Sequence, residues 1–115
     1  MMFSNRYLVT QPDLNAHGTL HGGVLMKWVD EACGMQARIL TKGVCATRFI
    51  GEIEFVSTAR VGDILEVSFH ISKYGKTSIS FKAEVLNITN NNSKVAVFNK
   101  VVFVAIDKNH HPRKY

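Results

Sequence analysis

From Val24 to Leu40 the chain repeats at helical spacing, with Leu25, Trp28, Val29, Ala32, Gln36 and Ile39 on one stripe. Val24, Cys33, Met35 and Leu40 widen that stripe beyond the face of an ordinary amphipathic helix. Lys27, Glu31 and Arg38 gather on the opposite side, Lys27 and Glu31 as an i,i+4 pair. The breaker Thr41-Lys42-Gly43 ends the run. On either side of this segment the residues favour strands. Residues 6–11 are rich in strand formers and stop at Pro12-Asp13. Val44–Ser57 reads as a long strand, and residues 64–71 alternate with a period of two. Ile79, Phe81, Ala83 and Val85 alternate with polar neighbours, and Val95–Ile106 forms a last, strongly apolar strand. Arg60–Asp63, Tyr74-Gly75-Lys76 and Asn90-Asn91-Asn92 supply the turns.

One strand, one long helix and four further strands predict an α+β domain over residues 1–115, with no repeat or linker. The short turns predict antiparallel neighbours in chain order. A curved antiparallel sheet with one face to cover, and a single helix to cover it, predicts a sheet wrapped around that helix. The wide stripe on the helix suggests that a second copy buries more apolar surface, so a C2 homodimer is expected.

Composition narrows the class only slightly. No stretch is long and apolar enough for a membrane span, and residues 1–7 lack the apolar block of a signal peptide. Cys33 and Cys45 are too few for a disulfide framework and read as reduced thiols, which points to the cytoplasm. The net charge of +5 suits any polyanion. The basic residues are spread along the chain with no nucleic-acid-binding motif, so no nucleic acid and no membrane partner is expected, while a nucleotide-bearing substrate accounts for the same charge.

The densest chemistry lies in Asn15–Asp30. Gly22-Gly23 stand at the helix start, where backbone N–H groups lack intrahelical partners and carry the positive end of the dipole. Such groups can polarise a carbonyl; the plainer alternative is a tight loop-to-helix turn. Asp30 stands on the shoulder of the apolar stripe, beside Met26, Cys33, Gly34 and Ala37, as a candidate base or as a structural acid paired with a lysine or arginine. Gly23 and Asp30 are seven residues apart, about 10 Å along the axis, too far to serve one carbonyl directly. A second protomer could supply one of the two groups. His17 and His21 lie among glycines that argue against a helical metal pair, and Cys33 reads as packing rather than nucleophile.

These residues are similar to a known signature. The run Asn15-x-x-Gly18-x-x-His21-Gly22-Gly23-x-x-Met26-x-x-x-Asp30-Glu31-x-x-Gly34 resembles that of the hot-dog-fold acyl-CoA hydrolases of the YciA type. The similarity continues through Phe55, Val61-Gly62-Asp63, Lys76-Thr77-Ser78-Ile79 and Phe103–Asp107 to Arg113. The resemblance implies the hot-dog fold, a five-stranded antiparallel sheet around a long central helix, in dimers and trimers of dimers. It implies hydrolysis of acyl-CoA to free CoA and a carboxylic acid, with no metal and no cofactor beyond the coenzyme A of the substrate. By the same resemblance Asp30 is the catalytic acid, acting across the subunit boundary as general base or nucleophile, and Asn15 orients water or thioester. The N–H of Gly22 or Gly23 holds the carbonyl oxygen, and Lys76, Thr77, Ser78 and Arg113 meet the CoA phosphates and nucleotide. An aryl-CoA thioesterase of the same fold, a dehydratase and a non-catalytic acyl-CoA-binding module are the competing readings; the dehydratase lacks its His and Glu pair here.

Overall fold

Sheet and helix are held together by one cluster of 21 buried residues lying between them. The computed structural model describes residues 1–115. Helix α1 spans Gly22–Thr41, and five strands follow in chain order: β1 (Phe3–Leu8), β2 (Cys45–Phe55), β3 (Ile64–Tyr74), β4 (Ser78–Asn87) and β5 (Ser93–Ala105). All strand pairings are antiparallel, in the order β1-β3-β4-β5-β2. The expected α+β architecture of one long helix on a five-stranded antiparallel sheet is present.

Three expectations need correction. The first strand lies at Phe3–Leu8 rather than 6–11. Phe3 and Tyr7 pack against the core from one face of β1, opposite Phe69 and Leu65 of β3. Beyond Leu8 the chain leaves the ladder, because Pro12 has no N–H to offer and Gln11–Asp13 coils into a 3-10 turn. Secondly, the strands after the helix do not all pair in chain order, since β2 joins β5 and not β3. The cause is β5, where Val101, Val102, Phe103, Val104 and Ala105 are all buried, so the strand needs a neighbour on each edge. Residues 56–63 therefore cross the end of the sheet, fastened where Val56 N–H donates to Val95 O and Leu20 N–H donates to the buried Ala59.

The third correction concerns the helix face. The buried positions run through Leu25, Trp28, Val29, Ala32, Cys33 and Ala37, and Ile39 falls off that face with 67% of its surface exposed. Met35 is exposed beside it, so the outer surface of α1 carries apolar side chains that this protomer leaves uncovered. At the sheet edge, β2 leaves one side of its backbone unpaired, with Phe49 and Phe55 exposed along it.

Candidate active site

The loop before α1 is built by Asn15. Its Oδ1 accepts the N–H groups of His17 (2.9 Å) and Thr19 (3.2 Å), while its Nδ2 donates to Thr19 Oγ1 (3.0 Å). An asparagine suits this position because a short carboxamide can stand in for a backbone turn. Gly18, at φ +80°, supplies the left-handed residue that the turn requires. Asn15 therefore keeps one side-chain N–H free of protein partners.

At the helix start the two glycines have different employment. His21 is the N-cap, and its Nδ1 accepts the Gly23 N–H at 2.8 Å. A Cβ at Gly23 would lie 2.8 Å from that imidazole, so glycine there admits the capping ring. Gly22 N–H has no protein acceptor, and a Cβ at Gly22 would meet only the Phe55 ring at an ordinary 3.5 Å. Of the two candidate donors, Gly22 is the one free to meet a ligand oxygen. Sequence patterning singled out the glycine pair but not the histidine that divides it.

Asp30 projects from the middle of α1 into a separate cavity of about 520 Å³, shared with Gly34, Met35, Thr47 and Phe103. Thr47 Oγ1 donates to Asp30 Oδ1 at 2.6 Å. The ion pairs of the chain are Arg6–Glu66 and Lys94–Glu84, so Asp30 is not tied to a cation. Buried Cys33 lies against it, and burial first, then the Asp30 charge, push that thiol up to about 12. At neutral pH Cys33 is therefore a thiol that packs, not a nucleophile.

Thr47 was not singled out from the sequence. It lies on the helix side of β2, two residues on from Cys45, and the strand bulges just beyond it at Arg48: Thr47 stands opposite Phe103 and Ile50 opposite Val101, three residues against two. The available signal was its period-two phase with Cys45, which places a hydroxyl on the helix side of the strand. Gly34 gives the cavity its floor, since a Cβ there would lie 3.1 Å from the Phe103 ring.

The remaining candidates gather at the other end of the helix. Thr77 O accepts Ala105 N–H, Ala105 O accepts Arg113 N–H, and Tyr115 donates to Ser78 O at 2.8 Å. The exposed Lys76 turn and the Arg113 tail are thus neighbours. Arg113 spends three of its five N–H donors on the protein: Nη1 to Thr41 O (3.1 Å), Nη2 to Thr41 Oγ1 (3.3 Å) and Nε to Ile106 O (3.1 Å). A cation on the last carbonyls of α1 also meets the negative end of its dipole. No group of three or more His, Cys, Asp or Glu side chains is arranged to hold a metal ion.

The family model of the thioesterase superfamily matches residues 17–94, from the loop before α1 into β5. The chain belongs to the thioesterase superfamily. Among its relatives, an uncharacterized acyl-CoA thioester hydrolase of Buchnera aphidicola is 31% identical over 80 residues, covering 70% of this chain and 59% of that protein. The first three curated relatives are matched over only 54–59% of their length. The fold is that of a hexameric thioesterase from Yersinia pestis, with a TM-score of 0.90 at 27% identity over 96% of this chain and 91% of that one. A hexameric broad-specificity acyl-coenzyme A thioesterase, solved as an aspartate-to-alanine mutant, superimposes with a TM-score of 0.87 at 26% identity, covering 96% and 83%. The hot-dog fold expected from the signature is therefore present in this member of the superfamily.

On one protomer the candidate groups line two separate cavities. Asn15 and Gly22 line a cavity of about 230 Å³ at the helix start, and Asp30 with Thr47 lines the other. Gly22 and Asp30 are eight residues apart, about 12 Å along the helix.

Proposed function

We propose that this chain hydrolyses acyl-CoA to free CoA and a carboxylic acid, at a site completed by two protomers. The observation that carries the reading is the division just described: an unpaired carboxylate steadied by a hydroxyl in one cavity, and free N–H donors in another. Neither half-site suffices, because a polarised carbonyl and its base must meet within hydrogen-bond reach. A two-fold axis that sets Asp30 of one protomer against the Asn15–Gly22 cavity of the other would complete two equivalent sites. The unpaired edge of β2 and the uncovered Met35 and Ile39 supply surface for that contact.

In the completed site the thioester oxygen accepts Gly22 N–H, which stabilises the negative charge formed on attack. Thr47 engages Asp30 Oδ1 and leaves Oδ2 to take a proton from water. The resulting hydroxide adds to the carbonyl carbon, the C–S bond breaks, and the proton passes to the departing CoA sulfur. Asn15 donates its remaining N–H to the water or to the thioester. Asp30 acting as nucleophile through an anhydride uses the same groups. Lys76, Thr77 and Ser78, with the two N–H donors Arg113 has left, meet the CoA phosphates, and no cofactor is required beyond the coenzyme A of the substrate.

The hexameric state of the structural relatives supports a trimer of dimers for this chain. No helix is long and apolar enough to cross a membrane, and a cytoplasmic location is proposed from the reduced cysteines. The test is Asp30→Ala assayed for free thiol release across an acyl-CoA panel. We expect kcat to fall about 10²-fold or more with the oligomer intact, and Asn15→Ala to fall less. Unchanged activity in Asp30→Ala, or tight acyl-CoA binding by the unmodified protein with no turnover, would overturn the proposal.

A further inference from the structure

By simple alternation along their strands, Lys73, Lys100 and Phe49 would all face α1, since each follows a helix-side residue by two: Ile71, Phe98 and Thr47. A bulge intervenes in every case. Ile71 stands opposite Phe81 but Lys73 opposite Ser80; Phe98 and Val101 stand opposite Ala83 and Phe81; Thr47 stands opposite Phe103 but Phe49 opposite Val102. The three side chains are thereby turned to the outer face of the sheet, away from the helix. There they line one cavity together with Arg48, the extra residue of the β2 bulge, and the hydroxyl residues Ser78 and Ser80 of β4.

From this convergence we infer that the outer cavity binds a small molecule through two or more phosphoryl groups, at a site separate from that of the thioester. No acidic side chain lines it, and the ion pairs of the chain, Arg6–Glu66 and Lys94–Glu84, lie elsewhere. Three cations gathered without a carboxylate repel one another until an anion joins them. The Lys100 ammonium stands 5.4 Å over the Phe49 ring, which holds it in place. A Cβ at Gly51 would lie 2.5 Å from that ring, so glycine is what lets the ring lie there. Arg48 offers a planar fork suited to phosphoryl oxygens, and Ser80 a hydroxyl donor. One phosphoryl group carries about −1.5 to −2 charges, so three cations match a diphosphate or longer group. Thr47 meets Asp30 on the helix side while its neighbour Arg48 serves the outer cavity, so the sheet itself divides the two sites. Pairing of the β2 edge with a partner would use backbone groups and leave the outer face open. Ser78 borders both this cavity and the Lys76 turn, so the phosphates of CoA are the rival source of the same chemistry.

The test is calorimetric titration of the intact oligomer with inorganic pyrophosphate and with tripolyphosphate, at low ionic strength, with and without saturating CoA. One site per chain is expected, with an affinity that changes less than about threefold when CoA is present. Lys73→Ala and Lys100→Ala, both at exposed positions, should each weaken pyrophosphate about tenfold. Lys82→Ala removes a cation from the same face of β4 outside the cavity and should change binding by less than about twofold. Absence of binding at millimolar pyrophosphate would overturn the inference. So would equal losses in all three lysine variants, which would mean a diffuse positive field, or displacement of pyrophosphate by CoA, which would give the cavity to the substrate.

Discussion

Replacing Thr47 by valine removes one hydroxyl and keeps the shape of the side chain, so it isolates the 2.6 Å hydrogen bond to Asp30. A hydrogen bond to an ionised carboxylate contributes about 1.5–3 kcal/mol. Thr47 is exposed in the single protomer, and water can replace part of its donation, which favours the lower half of that range. About 2 kcal/mol of lost orientation corresponds to roughly a 30-fold fall in kcat. KM should change less than threefold, because the hydroxyl steadies the base and does not touch the CoA. Thr47→Ser, which restores the donor, should bring kcat back to within about threefold of the parent. The assay is free thiol release at saturating acyl-CoA, with melting temperature measured in parallel to exclude unfolding. A fall that appears only in KM, or a serine variant as slow as the valine variant, would refute the assignment of Thr47 to the base.

Two further variants probe the frame around the site. The Asp63 carboxyl is held below its usual value of 3.8, chiefly by the Arg60 backbone N–H at 2.9 Å and then by Asn87 and Thr89. Because the folded value is depressed, its contribution to stability is present above the unfolded value and is lost as pH falls through the folded one. Asp63→Asn should therefore melt several degrees below the parent at neutral pH, and the difference should shrink as pH is lowered past the ordinary carboxylate range; a gap that persists at low pH would contradict this. Arg113→Ala should lower stability by about 2 kcal/mol through the lost bonds to Thr41 and Ile106, an effect larger than its change in CoA inhibition constant, whereas Lys76→Ala should do the opposite. Equal behaviour of the two variants in melting and inhibition assays would remove the distinction.

The long helix was legible because Leu25, Trp28, Val29 and Ala32 recur with its period, and most strands because they alternate. Pairing order was not, since alternation tells which face of a strand is buried and not which edge it offers. The uninterrupted apolar run of β5 was the one sign that this strand lies inside the sheet with β2 beyond it. Asp30 stood out as an acid among small and apolar neighbours, and the helical rise alone separated it from the glycines. Thr47 stayed hidden because its phase with Cys45 marks only a hydroxyl on the helix side, and its meeting with Asp30 comes from the packing of β2 on α1, which leaves no local mark. His21 was read as a loop histidine, whereas its ring caps the start of α1, and Arg113, proposed for the CoA phosphates, also spends donors on the end of that helix. Helix ends must satisfy their orphan groups, and which side chain does so is a matter of three-dimensional reach.

Sharing of the site between protomers is tested most directly by mixing Asp30→Ala chains with Asn15→Ala chains. Each variant alone is deficient in both of its sites. If the groups come from different protomers, dissociation and reassembly of a 1:1 mixture puts Asp30 of one chain opposite Asn15 of the other in half the sites of half the dimers. Activity should then recover to about a quarter of the parent value. A mixture no more active than the mean of its two components would mean that base and carbonyl donors act within one chain, against the geometry of α1.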